Sequence, residues 1–282
     1  MPSPGKHWST DQQLWVELFV LVNVAFLTLD IYLAHSVNQF RSRAEYIPLF
    51  FSAIAPLILL IGLTQRARHP WMWRSLGHLV GWAAIMIGLT GVLFHLESHF
   101  FYERTIRSLT YSAPFAAPLA YTGLGFLLVL DRMVDADSLE WAQWVLFFTL
   151  GGFAGNFVFT LMDHAEDGFF NPFEWMPVFA SGIAIGFLFA PLLMQVSRQF
   201  ITVCAIILFF EAVVGVWGFI LHAELNLNGP SVHWFDNFIY GASPMAPLLF
   251  PNLTLLGWIA LYRLRVTQFD RPASILQAHH HP

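Results

Sequence analysis

Long, unbroken apolar runs separated by short polar breaks make up most of this chain. Eight such runs lie near residues 14–34, 46–64, 76–95, 111–130, 141–162, 176–195, 200–221 and 244–262. Each approaches the roughly 20 apolar residues that carry an α-helix across a bilayer core. Their apolar positions are continuous, not alternating, so helical spans are expected and a transmembrane barrel is not. The first run is too long for a signal peptide and no small-residue cleavage site follows it, so it reads as an uncleaved span. None of the polar breaks resembles a soluble domain or a low-complexity linker.

The pattern is written twice. Shifted by 129 positions, His35 falls on His164 and Glu45 on Glu174. Around them Glu45-Tyr46-Ile47-Pro48 falls on Glu174-Trp175-Met176-Pro177, and Ser52 on Ser181. At a shift of 127, His95 and Glu97 fall on His222 and Glu224; at 129 again, Pro118 falls on Pro247. Apolar coincidences mean little in an apolar chain, so the His and Glu matches carry the argument. Each half holds four runs, and an even number returns the chain to its starting side, so the halves share one orientation. The expected fold is an all-α integral membrane protein of eight transmembrane helices, built as two parallel four-helix repeats. The first repeat covers residues 1–135 and the second, with the C-terminal tail, residues 136–282. A polar link is expected at 131–140, which holds Asp131, Arg132, Asp135, Asp137 and Glu140.

Composition agrees with a lipid-embedded chain: 57% hydrophobic, 11% charged and a mean hydropathy of +0.60, where soluble domains carry about 25% charged residues. The bilayer is therefore the first partner, and other membrane subunits are the second. The net charge of −5 and the scattered basic residues exclude a nucleic-acid surface. Cys204 is the single cysteine, which rules out an internal disulfide and a thiolate metal cage. Lys6, Arg66, Arg68, Arg74, Arg132, Arg198, Arg263, Arg265 and Arg271 fall on one side of the expected topology; Arg41, Arg43, Arg104 and Arg107 fall on the other. Nine against four places both termini in the cytoplasm, on a bacterial inner membrane, with an acidic opposite face.

On this topology His35, Glu45, His95, Glu97, His164, Glu174, His222 and Glu224 all sit at one level near the outer face. Imidazole with carboxylate suits a transition metal ion such as iron, zinc, manganese or oxidised copper, and neighbouring helices of a bundle supply such sites. Haem, or another tetrapyrrole on the four histidines, is the alternative cofactor. His95 and Glu97 point about 200° apart on a continuous helix, whereas His95 and His99 share a face. Asn226 stands where a second His99 would fall, so the two sites are expected to differ. Two acids lie inside spans without counterparts: Glu211 against Ala84 and Asp30 against Phe159. A charge at mid-span costs roughly 2.5–3.5 kcal/mol, which marks both as proton- or ion-relay candidates.

The chain lacks a HExxH zinc motif and a phosphate-binding loop. The function expected is that of a membrane metalloprotein with repeated His/carboxylate sites at its outer face. If it is an enzyme, a metal-dependent oxidoreductase is the natural form, with the metal activating oxygen or water. The alternatives are a metal-ion transporter, a haem-binding subunit and a structural or assembly subunit of a larger membrane complex.

Overall fold

Each apolar run folds as a helix, and the polar residues at its edges set where it begins. The computed structural model describes residues 11–166 and 168–269. Lys6 and Arg271 of the charge asymmetry, and the terminal His279–His281, lie outside the described residues. Asp11 caps α1 (Gln12–Ser36) by accepting from the Leu14 amide at 3.0 Å. Pro70 opens α3 (Pro70–Glu97), where its missing N–H costs nothing. Between them lies α2 (Tyr46–Gln65). Two short helices follow, α4 (Phe100–Glu103) and α5 (Ile106–Thr110), and then α6 (Leu119–Met133). The order continues with α7 (Leu139–Glu166), α8 (Trp175–Leu193), α9 (Arg198–Leu227), the short α10 (Trp234–Tyr240) and α11 (Leu249–Phe269). No strand occurs among the described residues.

The protein is an all-α membrane protein, and among the described residues six helices are long and apolar enough to cross a bilayer: α1, α2, α3, α7, α8 and α9. The expected fourth and eighth spans differ from these. The run at 111–130 is helical only from Leu119, because Pro114 and Pro118 lack amide donors and push the residues before them out of the helical region. What remains, α6, has 15 residues, or about 22 Å at 1.5 Å per residue, short of the ~30 Å core. The eighth run slides toward the C-terminus, past Pro244 and Pro247, so α11 takes in Arg263 and Arg265.

The helices form two rings. In the first, α1 touches α2, α2 touches α3, α3 touches α6, and α6 returns to α1. In the second, α7, α8, α9 and α11 close in the same order. Consecutive neighbours leave α1 and α3 on one diagonal and α7 and α9 on another. The seam between the rings is reciprocal: α1 meets α11 and α7 meets α6, while α10 lies on α1 and α5 lies on α7. Asn23 and Asn252 join the seam through paired amides, the Asn23 Nδ2 donating at 3.0 Å.

The expected polar link at 131–140 is buried at its start. Asp131 and Arg132 form the last turn of α6 and are 0% and 6% exposed. Arg132 donates to Glu17 on α1 at 2.7 Å and to Asp131 at 2.8 Å, and its guanidinium lies 3.7 Å over the Trp73 ring. Trp73 Nε1 donates to the other Glu17 oxygen at 2.7 Å, and Trp141 Nε1 reaches Asp131 at 3.3 Å. Gly77 lies beneath the guanidinium, where a side chain would collide with it. Outside this cluster Arg66 grips Asp11 at 2.8 and 3.2 Å and Gln13 at 2.9 Å.

Removing Arg132 alone leaves two buried carboxylates facing each other. Arg132→Met should cost about 3–5 kcal/mol, read as a lower unfolding midpoint in detergent. Adding Glu17→Leu and Asp131→Leu should restore much of that loss, because an apolar replacement of a buried ion cluster leaves no charge unpaired.

Candidate functional site

The repeated His and Glu residues gather at one end of each ring, and the chain builds both places the same way. His35 closes α1 and His164 closes α7. A tight turn follows, in which the Phe40 amide donates to the His35 carbonyl at 3.1 Å and the Phe169 amide to the His164 carbonyl at 3.0 Å. A capping box then starts the next helix. Ser42 with Glu45, and Asn171 with Glu174, each exchange side-chain and backbone bonds across one turn of 3₁₀ helix. This box swings the carboxylate back toward the histidine.

Glu45 is thereby fully engaged. Its Oε2 lies 3.2 Å from His35 Nδ1, while Oε1 accepts from the Ser42 amide at 3.1 Å and from Asn38 Nδ2 at 3.3 Å. The second copy is looser: Glu174 accepts from the Asn171 amide at 3.3 Å, and its Oε2 stands 4.0 Å from His164 Nδ1. The diagonal helices bring the other imidazoles across. The His95 ring is 6.2 Å from the His35 ring, centroid to centroid, and the His222 ring is 6.5 Å from the His164 ring, both pairs close to perpendicular.

His95 Nδ1 lies 3.0 Å from the Pro114 carbonyl and His222 Nδ1 lies 2.7 Å from the Ser243 carbonyl. Pro114 and Ser243 are themselves related by the shift of 129. A carbonyl can only accept, so Nδ1 is the donor in both rings and the lone pair of a neutral ring resides on Nε2. His35 likewise turns its Nδ1 to an oxygen, Oε2 of Glu45. Histidines that bind metals are oriented in this way, one nitrogen held by a carboxylate or carbonyl and the other offered to the ion.

Other expected members stand apart. His95 and His99 do not share a helix face, because α3 ends at Glu97 and His99 becomes the cap residue of α4. Asn226, at the matching place, is buried and donates to the Ala242 carbonyl at 2.7 Å, holding the loop that carries Ser243. Glu97 and Glu224 are exposed, as their two-residue offset from each histidine dictates. Among the described residues no group of three or more His, Cys, Asp or Glu side chains converges as a metal cage. In each copy the geometry brings together two imidazoles and one carboxylate that orients a ring.

The ground beneath the two sites differs. Tyr121 hydroxyl meets Ser52 and donates to the Pro48 carbonyl at 3.0 Å, with Asp30 close enough to couple to it electrostatically. In the second ring Phe250 and Phe159 occupy those positions, and Ser181 donates directly to the Pro177 carbonyl at 2.9 Å. A cavity of about 70 Å³ lies on the seam beside the first site, with Pro114 and Phe115 in one wall and Phe159 and Met162 of α7 in the other. Glu211 is 2% exposed inside α9 and its Oε2 has no hydrogen-bond partner among the described residues.

The cluster of Glu17, Asp131 and Arg132 was not legible as a site beforehand. Asp131 and Arg132 stand out only as part of a polar link, and their partner Glu17 lies more than a hundred residues away.

Glu211 costs the fold an unsatisfied polar atom. Glu211→Met should raise the unfolding midpoint in detergent by the equivalent of about 1–3 kcal/mol. No protein-family model, curated protein or solved structure matches this chain.

Proposed function

We propose that this chain is an integral membrane metalloprotein with two related metal sites on its outer face, used for metal-dependent redox chemistry. One observation carries this reading. His35, His95 and His222 each commit Nδ1 to an acceptor and leave Nε2 to a ligand, and His164 stands in the matching place with its Nδ1 facing Glu174 at 4.0 Å. His35 and His95 would hold the first ion, and His164 and His222 the second. Glu45 and Glu174 would orient and polarise their imidazoles rather than coordinate directly. An ion held there would supply Lewis acidity or electrons to a small substrate.

The same proposal takes the chain as eight spans in two parallel four-helix repeats, with residues 111–118 and 241–248 completing the fourth and eighth crossings. The matching ring order and the reciprocal seam support it. Both termini then lie in the cytoplasm of a bacterial cell, following the excess of basic residues on that side.

Ring geometry favours a second reading as well. With ring centroids 6.2 and 6.5 Å apart, His35 with His95 and His164 with His222 would also be the residues to hold the iron of a haem, which would supply electron transfer. An absorption spectrum separates the two, since a haem shows an intense near-ultraviolet band and a bare ion does not.

Elemental analysis of gently purified protein should find two equivalents of metal per chain. His95→Ala and His222→Ala should each lose one, and the double variant both. A wild-type protein free of metal and haem would end the proposal.

Glu45→Gln tests the orienting carboxylate. Loss of such a partner typically lowers metal affinity 10–100-fold, so a chelator competition should show that drop at the first site. Glu174→Gln should do less, because its carboxylate stands at 4.0 Å from the ring nitrogen.

A further inference from the structure

The turn after each histidine uses an unfavourable backbone conformation, and does so in both copies. Phe40 has φ of 50° and Phe169 has φ of 52°. This is the left-handed region, where helix ends ordinarily place Gly or Asn and where a bulky residue is an outlier. The residues just before them, Gln39 and Gly168, are also left-handed, at 58° and 78°. At that position the second copy has the relaxed residue, glycine. At the next, both copies keep phenylalanine. Local backbone preference cannot explain this, because it would favour glycine at either place.

The side chains show what the strain holds. The Phe40 ring stacks on Tyr46 at 4.8 Å, tilted by 25°, and lies 5.9 Å from the His35 ring. The Phe169 ring stacks on Trp175 at 3.9 Å, tilted by 13°, and lies 6.1 Å from the His164 ring. Each phenylalanine lies between an aromatic residue of the next helix and the imidazole of the histidine whose backbone carbonyl accepts from its amide. The His35 and His164 side chains keep 20% and 17% exposure. Strain of this kind persists where the surroundings over-determine it, and it clusters at functional sites.

We propose that Phe40 and Phe169 are covers over the His35–Glu45 and His164–Glu174 pairs, held in a strained backbone so that their rings limit how fast water-borne ligands reach the imidazoles. Their use as gates to a metal rests on the metalloprotein reading, but the shielding itself does not. They act through the histidines and are positioning residues.

The test is carbethoxylation of histidine by diethyl pyrocarbonate, on full-length protein stripped of metal by chelator and mapped residue by residue by mass spectrometry. His69, exposed at the far end of the molecule, serves as the internal reference. In the F40G/F169G double variant His35 and His164 should react several-fold faster than in the wild type, with His69 unchanged. F40Y/F169Y should protect like the wild type. F40N/F169N, whose residue also tolerates the left-handed region, should behave like the glycine variant and guards against a folding defect in it. Equal rates at His35 and His164 in wild type and both open variants would overturn the proposal. Metal analysis of the same preparations keeps the two ideas apart. Faster acylation in a protein that never held metal would retain the cover and remove the metalloprotein reading. Unchanged acylation in a metal-loaded protein would do the reverse.

Discussion

Three charges buried inside an apolar bundle constrain where everything else can go. Arg132 pairs with Glu17 and Asp131 through its two terminal nitrogens, and Trp73 and Trp141 donate to the two carboxylates, while Arg132 Nε has no partner among the described residues. Removing ionised groups from water is costly, and only close geometry with full hydrogen bonding repays it. The cluster therefore fixes the depths of α1, α3, α6 and the start of α7 relative to one another. A slip of one helical turn would strand a charge. Because α1 and α3 are registered at this end, His35 and His95 arrive at the same level at the other.

How much of this the sequence discloses depends on how far apart the interacting residues are. The apolar runs and the doubled His and Glu stand out, since polar residues are rare in this chain and their order repeats. The role of Glu45 is subtler. The Ser42-x-x-Glu45 and Asn171-x-x-Glu174 spacings are capping boxes that sequence displays, yet only the folded turn shows the carboxylate aimed at an imidazole nitrogen. Helix ends mislead more. The shared face of His95 and His99 assumes a helix that stops at Glu97, and the fourth run begins eight residues late because of its prolines. The Glu17–Arg132 pair spans 115 positions, a separation at which no periodicity points one residue to the other.

The two rings share a frame and differ in what fills it. Tyr121, Ser52 and Asp30 line the polar ground under the first histidine pair, where the second has Phe250 and Phe159. The first carboxylate closes onto its ring and the second holds off. The buried ion cluster belongs to the first ring, and the unpartnered Glu211 to the second.

The crossing of the short helices over the seam has a mechanical meaning. α10 rests on α1, the helix that ends in His35, and the chain leaving α10 runs directly to Ser243, whose carbonyl holds His222. Likewise α5 rests on α7, which ends in His164, and leads to Pro114, whose carbonyl holds His95. Each histidine pair thus has one ring on a helix that bears the strap steering a ring of the opposite pair. Each strap therefore ties the placement of one histidine pair to a helix of the other ring.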